Sequence, residues 1–212
     1  MGTTASNIAD FLLQIKAVKL EPKNSFTWAS GWKSPIYCDN RITLSHPRIR
    51  TYIRQELVKV IDEKFGTPDF IAGVATGAIA HGVLVAEAMG LPFVYVRASA
   101  KDHGRKNTIE GEVIKNQSCV VIEDLVSTGQ SSLRAVQALR DSGVIVKGLI
   151  SIFNYGFEQA AEAFRNANCP VYSLSNYEVL IEQALKHSYI NQSDVDSLKL
   201  WREEPDTWKK ED

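Results

Sequence analysis

The amino-acid sequence predicts an α/β fold, a mainly parallel sheet flanked by helices with a small N-terminal hood. Three observations carry that expectation. Short apolar runs at residues 70–74, 92–96 and 119–122 alternate with stretches of helical periodicity. The run Cys119-Val120-Val121-Ile122 is β-branched and lacks polar alternation, as a strand buried on both faces should. A loop-rich tract at residues 21–41 precedes the first β-α alternation and reads as a cap on the sheet.

In chain order, Ile8, Phe11, Leu12 and Ile15 recur at helical spacing and predict an amphipathic helix ending near Val18. Pro47 suits a first helical turn, and Ile49, Tyr52, Ile53, Leu57, Val60 and Ile61 continue one apolar face to a stop at Phe65-Gly66. A strand over 70–74, a helix over 78–89 ended by Gly90 and a strand over 92–96 follow. Residues 98–112 break the alternation with a polar, charged loop bearing Gly104 and Gly111, and a loop of that length calls for a functional reason. The strand at 119–122 leads to a helix over 131–139. Residues 144–153 are apolar, 157–166 are helical in composition and 170–174 form a short strand. Closing helices are expected over 176–186 and 193–201, before a polar tail from Glu203 to Asp212.

A chain of 212 residues with 44% hydrophobic content buries a substantial core and is expected to form one domain, residues 1–45 supplying the first helix and the hood. With 24 basic and 25 acidic residues the net charge is −1, which gives no basic face for nucleic acid and none for an acidic membrane. Asp10, Gln14, Lys16 and Lys19 interrupt the N-terminal apolar stretch, so neither a signal peptide nor a membrane span is expected. Cys38, Cys119 and Cys169 are odd in number and form no metal-ligand spacing with the four histidines. They read as reduced thiols in a cytoplasmic protein.

Residues 118–131 read Ser-Cys-Val-Val-Ile-Glu-Asp-Leu-Val-Ser-Thr-Gly-Gln-Ser. Glu123 and Asp124 therefore stand at the C-terminal end of a buried strand, where ligands collect in open α/β sheets. The helix that follows offers unpaired N–H groups and a positive dipole end to an anion. Carboxylates beside such a cradle suit a ligand with hydroxyls on one side and phosphate on the other, a phosphorylated sugar. A plain strand-to-helix turn with an N-cap serine would need neither two acids nor a hydroxyl-rich loop. No G-x-x-x-x-G-K-[ST] occurs, and Gly73-Val-Ala-Thr-Gly77 lacks dinucleotide-site spacing.

The contiguous pattern of apolar strand, Glu123-Asp124, two residues, then Ser127-Thr128-Gly129 resembles the signature of type I phosphoribosyltransferases, which use phosphoribosyl pyrophosphate. The resemblance implies that the two acids hold ribose hydroxyls. It also implies that Leu125, Val126, Ser127, Thr128, Gly129, Gln130 and Ser131 form the segment wrapped around the 5′-phosphate. Ala75, Thr76 and Gly77 fall where that family places its pyrophosphate loop. Gly73 and Gly77 equally suit close packing of strand and helix.

Two further tracts resemble orotate phosphoribosyltransferases. Arg97, Lys101 and His103, in the order Arg-x-x-x-Lys-x-His-Gly, match a mobile loop whose Lys and His reach the pyrophosphate across a dimer interface. Cations aimed at a departing diphosphate lower the barrier, and a closing loop excludes water. The tract Ser30-Gly31-Trp32-Lys33-Ser34-Pro35-Ile36-Tyr37 resembles the hood that covers the base. It implies Lys33, Tyr37, Cys38, Arg41, Ser127 and Asn154 as orotate-binding candidates, with Trp28 as a structural anchor. Where some relatives carry cations this chain has Ala29, Thr76-Gly77 and Asn154, so recognition of the base and its carboxylate must be redistributed or the substrate must differ. The function implied is Mg²⁺-dependent transfer of ribose 5-phosphate to orotate by a homodimer with shared sites, Mg²⁺ riding on substrate rather than in a protein cage. A phosphoribosyl pyrophosphate-binding regulator of transcription would need a basic face or an added module. A purine phosphoribosyltransferase is disfavoured by the hood.

Overall fold

The structure is a computed structural model that describes residues 2–28, 31–98 and 108–208 of the chain. Helix α1 (Thr4–Gln14) is N-capped by Thr3, whose side chain accepts from the Ser6 amide, and it buries Ile8 and Leu12. It stops before Val18 because Lys16 takes φ 57°, a left-handed step that no helix continues through. Val18–Leu20 is instead strand β1.

The tract expected as loop holds three more short strands. β2 (Phe26–Thr27) and β3 (Lys33–Ser34) form a small hairpin, and β4 (Ile36–Cys38) pairs antiparallel with β1. Two- and three-residue strands are too short for a period-two pattern to register. A 3-10 helix (Asn40–Ser45) leads into α2 (Pro47–Phe65). Pro47 starts that helix because its missing N–H is one the first turn leaves unpaired anyway. Gly66, at φ 64°, ends it, and Ile49, Ile53, Leu57 and Ile61 form its buried stripe.

The chain continues through β5 (Phe70–Val74), α3 (Ile79–Met89), β6 (Phe93–Val96), β7 (Ile109–Glu110), β8 (Ser118–Val126), α4 (Gln130–Asp141), β9 (Ile145–Asn154), α5 (Glu158–Asn166), β10 (Val171–Asn176), α6 (Tyr177–Lys186) and α7 (Gln192–Glu203). The main sheet runs β10-β9-β8-β5-β6-β7, parallel throughout except for β7 against β6. Every residue of β5 is buried. Helix α4 packs on β5, β8 and β9, and α2 packs on α3 and β9. β7 lies inside the polar tract, where only its pairing of Tyr95 with Glu110 and Val96 with Ile109 makes it a strand.

An aromatic cluster fastens the hood to the sheet. The Tyr155 ring, just past β9, lies 5.2 Å from that of Trp28 and 5.6 Å from those of Phe157 and Trp201. Trp201 is fully buried and its Nε1 donates to the Lys33 carbonyl at 3.2 Å. Trp28 anchors the hood as expected, its Nε1 donating to the Ile36 carbonyl. The tail is not simply polar, since Trp208 is buried. Cys119 and Cys169 are buried and Cys38 is half-buried, all three free. Among the described residues no helix is long and apolar enough to cross a membrane.

Candidate active site

The sheet order fixes where a ligand can enter. From β5 the chain passes to β6 on one side and then to β8 on the other, so the connections part at the C-terminal ends of β5 and β8. Crevices of open α/β sheets form at such a switch point. A cleft of about 290 Å³ lies there. Val74 of β5 and residues 75–77 after it, Glu123, Asp124 and Leu125 of β8, and Ser131 of α4 form its floor, and Cys38, Asp39 and Arg41 close it from the hood.

The two acids are not equivalent, because successive strand residues point to opposite faces. Glu123 is buried: its Oε2 accepts from Ser132 Oγ at 2.8 Å and its Oε1 from the Asp124 amide at 3.1 Å. Burial, and then the neighbouring Asp124 charge, hold its carboxyl well above the usual range. Burial raises Asp124 too, with the Arg41 charge acting in the opposite direction. Asp124 lies against Gly77. A Cβ there would stand 2.2 Å from Asp124 Oδ2, so only glycine permits the approach. The Ala75–Thr76 peptide bond in the same loop is cis. Gly73 answers to packing instead, a Cβ on it meeting the Phe93 ring at 3.0 Å.

Beyond β8, Ser127 and Thr128 lead to Gly129, which caps α4 at φ 77° in the left-handed region. A Cβ on it would meet Phe164 at 2.9 Å, so space as well as conformation requires glycine. Among the described residues no side chain caps α4, and its first-turn amides carry the positive end of the helix dipole from Gln130 onward. The segment from Leu125 to Ser131 thus presents amides and hydroxyls beside the acids.

The hood candidates divide. Cys38 and Arg41 line the cleft, whereas Lys33, Tyr37 and Asn154 do not. Arg41 forms a fork on Asp39, Nε to Oδ1 at 2.7 Å and Nη2 to Oδ2 at 2.9 Å, which leaves Nη1 outside that pair. The fork holds the Asp39 carboxyl below its usual value. Lys33 donates to Thr27 Oγ1 across the hairpin, and the exposed Tyr37 ring rests 5.8 Å from that of Phe26. Asn154, at the end of β9, accepts from the Gly156 amide at 2.8 Å. Arg97 follows β6 and pairs with Glu110 at 3.3 Å, its amide donating to the Thr108 carbonyl. Lys101 and His103 lie outside the described residues, as does Ser30.

Ser132 and Asn40 belong to the site without any sequence signal. Ser132 braces Glu123 from α4, and Asn40 Nδ2 donates to the Asp124 carbonyl at 2.6 Å across 84 positions of chain. Neither partner is legible from local spacing.

Comparison with known proteins agrees with this geometry. The family model of the phosphoribosyl transferase domain matches residues 43–167, which include the loop after β5, β8 and α4. An orotate phosphoribosyltransferase of Porphyromonas gingivalis is 53% identical over 208 residues, covering 98% of this chain and 99% of the relative. The crystal structure of orotate phosphoribosyltransferase from Aeropyrum pernix matches with a TM-score of 0.76 at 26% identity, over 87% of this chain and 99% of that one. Leishmania donovani UMP synthase matches with a TM-score of 0.77 at 26% identity, over 93% of this chain but 42% of that longer one. Near-complete coverage at such identity, with the acid pair, the glycine-dependent loop and the uncapped helix in one cleft, places the chain in the phosphoribosyl transferase domain family, among the orotate phosphoribosyltransferases.

Proposed function

We propose that the protein transfers ribose 5-phosphate from phosphoribosyl pyrophosphate to orotate, releasing pyrophosphate and forming orotidine 5′-monophosphate. The carrying observation is the 53% identity to an orotate phosphoribosyltransferase over nearly the whole of both chains. The cleft supports the reading in detail. Amides at the start of α4, with Ser127, Thr128 and Ser131, receive the 5′-phosphate. Asp124 meets the ribose hydroxyls, with Glu123 braced behind it by Ser132. Backbone of residues 75–77 faces the diphosphate, since Gly77 brings that loop against Asp124.

In the reaction the bond from ribose C1 to the diphosphate oxygen breaks, its electron pair leaving with the diphosphate. A ring nitrogen of orotate bonds to C1 and gives up its proton, which leaves with the diphosphate, and no protein nucleophile is required. Lys101 and His103 stabilise the charge that grows on the leaving group. Among the described residues no cluster of three or more ligating side chains exists, while Asp124 and Asp39 offer hard oxygen donors in the cleft. This donor set fits Mg²⁺ that would be carried mainly by substrate oxygens and would neutralise diphosphate charge. Arg41 is the cation nearest the base side, and Cys38 contributes backbone there. The working unit is a homodimer in the cytoplasm, each loop from Arg97 to His103 serving the neighbouring site.

The test is loss of orotate absorbance after phosphoribosyl pyrophosphate and Mg²⁺ are added, with uracil, hypoxanthine and adenine in parallel. Consumption of orotate alone is expected. Consumption of a purine base instead would assign the cleft to another branch of the family.

A further inference from the structure

The cleft has three walls contributed by distant parts of the chain: the hood, the loop leading into α3, and β8. One buried polar network joins the hood to β8 and to α3, the helix which that loop enters. Asn40 is 1% exposed, and each of its side-chain polar atoms has a partner. Nδ2 donates to the Asp124 carbonyl at 2.6 Å, and Oδ1 accepts from the Cys38 thiol at 3.4 Å. Its backbone carbonyl accepts from Thr43 Oγ1 at 2.6 Å. Because the Thr43 proton points to Asn40, the contact of Thr43 Oγ1 with His81 Nε2 at 3.1 Å requires the proton on Nε2. His81 is buried on α3, the helix entered from the Gly77 loop, and its Nδ1 has no partner among the described residues.

A buried amide that satisfies every polar atom is worth more to geometry than to net stability, since the folded network and water offer comparable bonds. What this network does is fix one carbonyl. Asp124 is held at its backbone oxygen by Asn40 and at its amide by Glu123, so the carboxylate emerges against Gly77 in one orientation. We infer that Asn40 is a positioning residue that registers the hood against the strand end and aims the Asp124 carboxylate, with Thr43 and His81 holding Asn40 in place. The inference rests on the proposed use of phosphoribosyl pyrophosphate, and it assigns Asn40 to the ribose side although its segment belongs to the hood.

A merely structural Asn40 would, when altered, lower the unfolding temperature or the fraction of active protein, and leave both KM values alone. A positioning Asn40 splits them. For Asn40→Ala, the KM for phosphoribosyl pyrophosphate should rise about five- to tenfold, the loss of one good hydrogen bond, while that for orotate changes less than about twofold. Thr43→Val keeps the shape and removes the hydroxyl. It should move the same constant in the same direction by about two- to fivefold, and it decides the matter if Asn40→Ala does not fold. Wild-type protein is measured alongside, so failure of the wild type to use phosphoribosyl pyrophosphate counts against the proposed function itself. With an active wild type, unchanged KM values in the folded variants, or equal rises for both substrates, would overturn the role of Asn40.

Discussion

At the scale of single residues, the site depends on contacts that tolerate almost no change. Gly77→Ala places a methyl where the Asp124 carboxylate stands. That variant should remain folded, because the clash is at the cleft surface, yet lose roughly tenfold to hundredfold in kcat/KM for phosphoribosyl pyrophosphate. Arg41→Ala should raise the orotate KM about tenfold, the lower range for a charge-assisted hydrogen bond, whereas Lys33→Ala, away from the cleft, should leave it within about twofold of wild type. The reverse ranking in steady-state kinetics would move carboxylate recognition from Arg41 to the hairpin. His81 gives a separate pH signature. Burial pushes it down to about 4 from its ordinary 6.5. Its contribution is complete above 6.5, where the imidazole is neutral in both states, and is lost as the pH falls towards 4, because the unfolded chain takes up the proton first. Between pH 7 and 4.5 wild type should lose about 2 kcal/mol more unfolding free energy than His81→Gln. Parallel losses in urea titrations would show that His81 is not held neutral. The acid pair and Gly129 of the phosphate segment were legible in the sequence because their motif is contiguous. The difference between Glu123 and Asp124, and the parts of Ser132 and Asn40, were not, because they arise from partners elsewhere in the chain.

Among the elements, the hood is held from behind by the C-terminal helix. Trp201 of α7 donates to the Lys33 carbonyl and packs edge-on against Trp28 and Tyr155. Trp201→Ala should lower stability by about 3–5 kcal/mol, as for deletion of a fully buried large aromatic. Trp201→Phe keeps most of the packing and loses the Nε1 bond, so it should raise the orotate KM more than that for phosphoribosyl pyrophosphate. Equal effects on the two would mean that the clamp supports the whole cleft rather than the hood. Long elements with sharp ends were readable in advance: α2 between Pro47 and Gly66, and β5 as an unbroken apolar run. Elements made by tertiary pairing were not. β7 exists through two register pairs with β6, the hood strands are two or three residues long, and Lys16 ends α1 by a backbone conformation that lysine does not advertise.

At the scale of the whole molecule, the switch in strand order between β5 and β8 explains why one cleft gathers residues from the hood, the sheet and α4. The proposed sharing of the loop around Lys101 and His103 between subunits makes a further prediction. Lys101→Ala and Asp124→Asn chains, each strongly impaired alone, should recover activity when mixed and allowed to exchange, because one site of each hybrid dimer is then intact. No recovery after demonstrated exchange would mean that each chain serves its own cleft. The central claim, that this cleft joins orotate to the ribosyl group, is tested most directly by the formation of orotidine 5′-monophosphate from wild type and Asp124→Asn side by side, with orotate, phosphoribosyl pyrophosphate and Mg²⁺. Wild type should form the nucleotide in step with pyrophosphate, and the folded variant should fall by roughly tenfold to hundredfold in kcat/KM for phosphoribosyl pyrophosphate; no nucleotide from the folded wild type, or an unchanged variant, would contradict it.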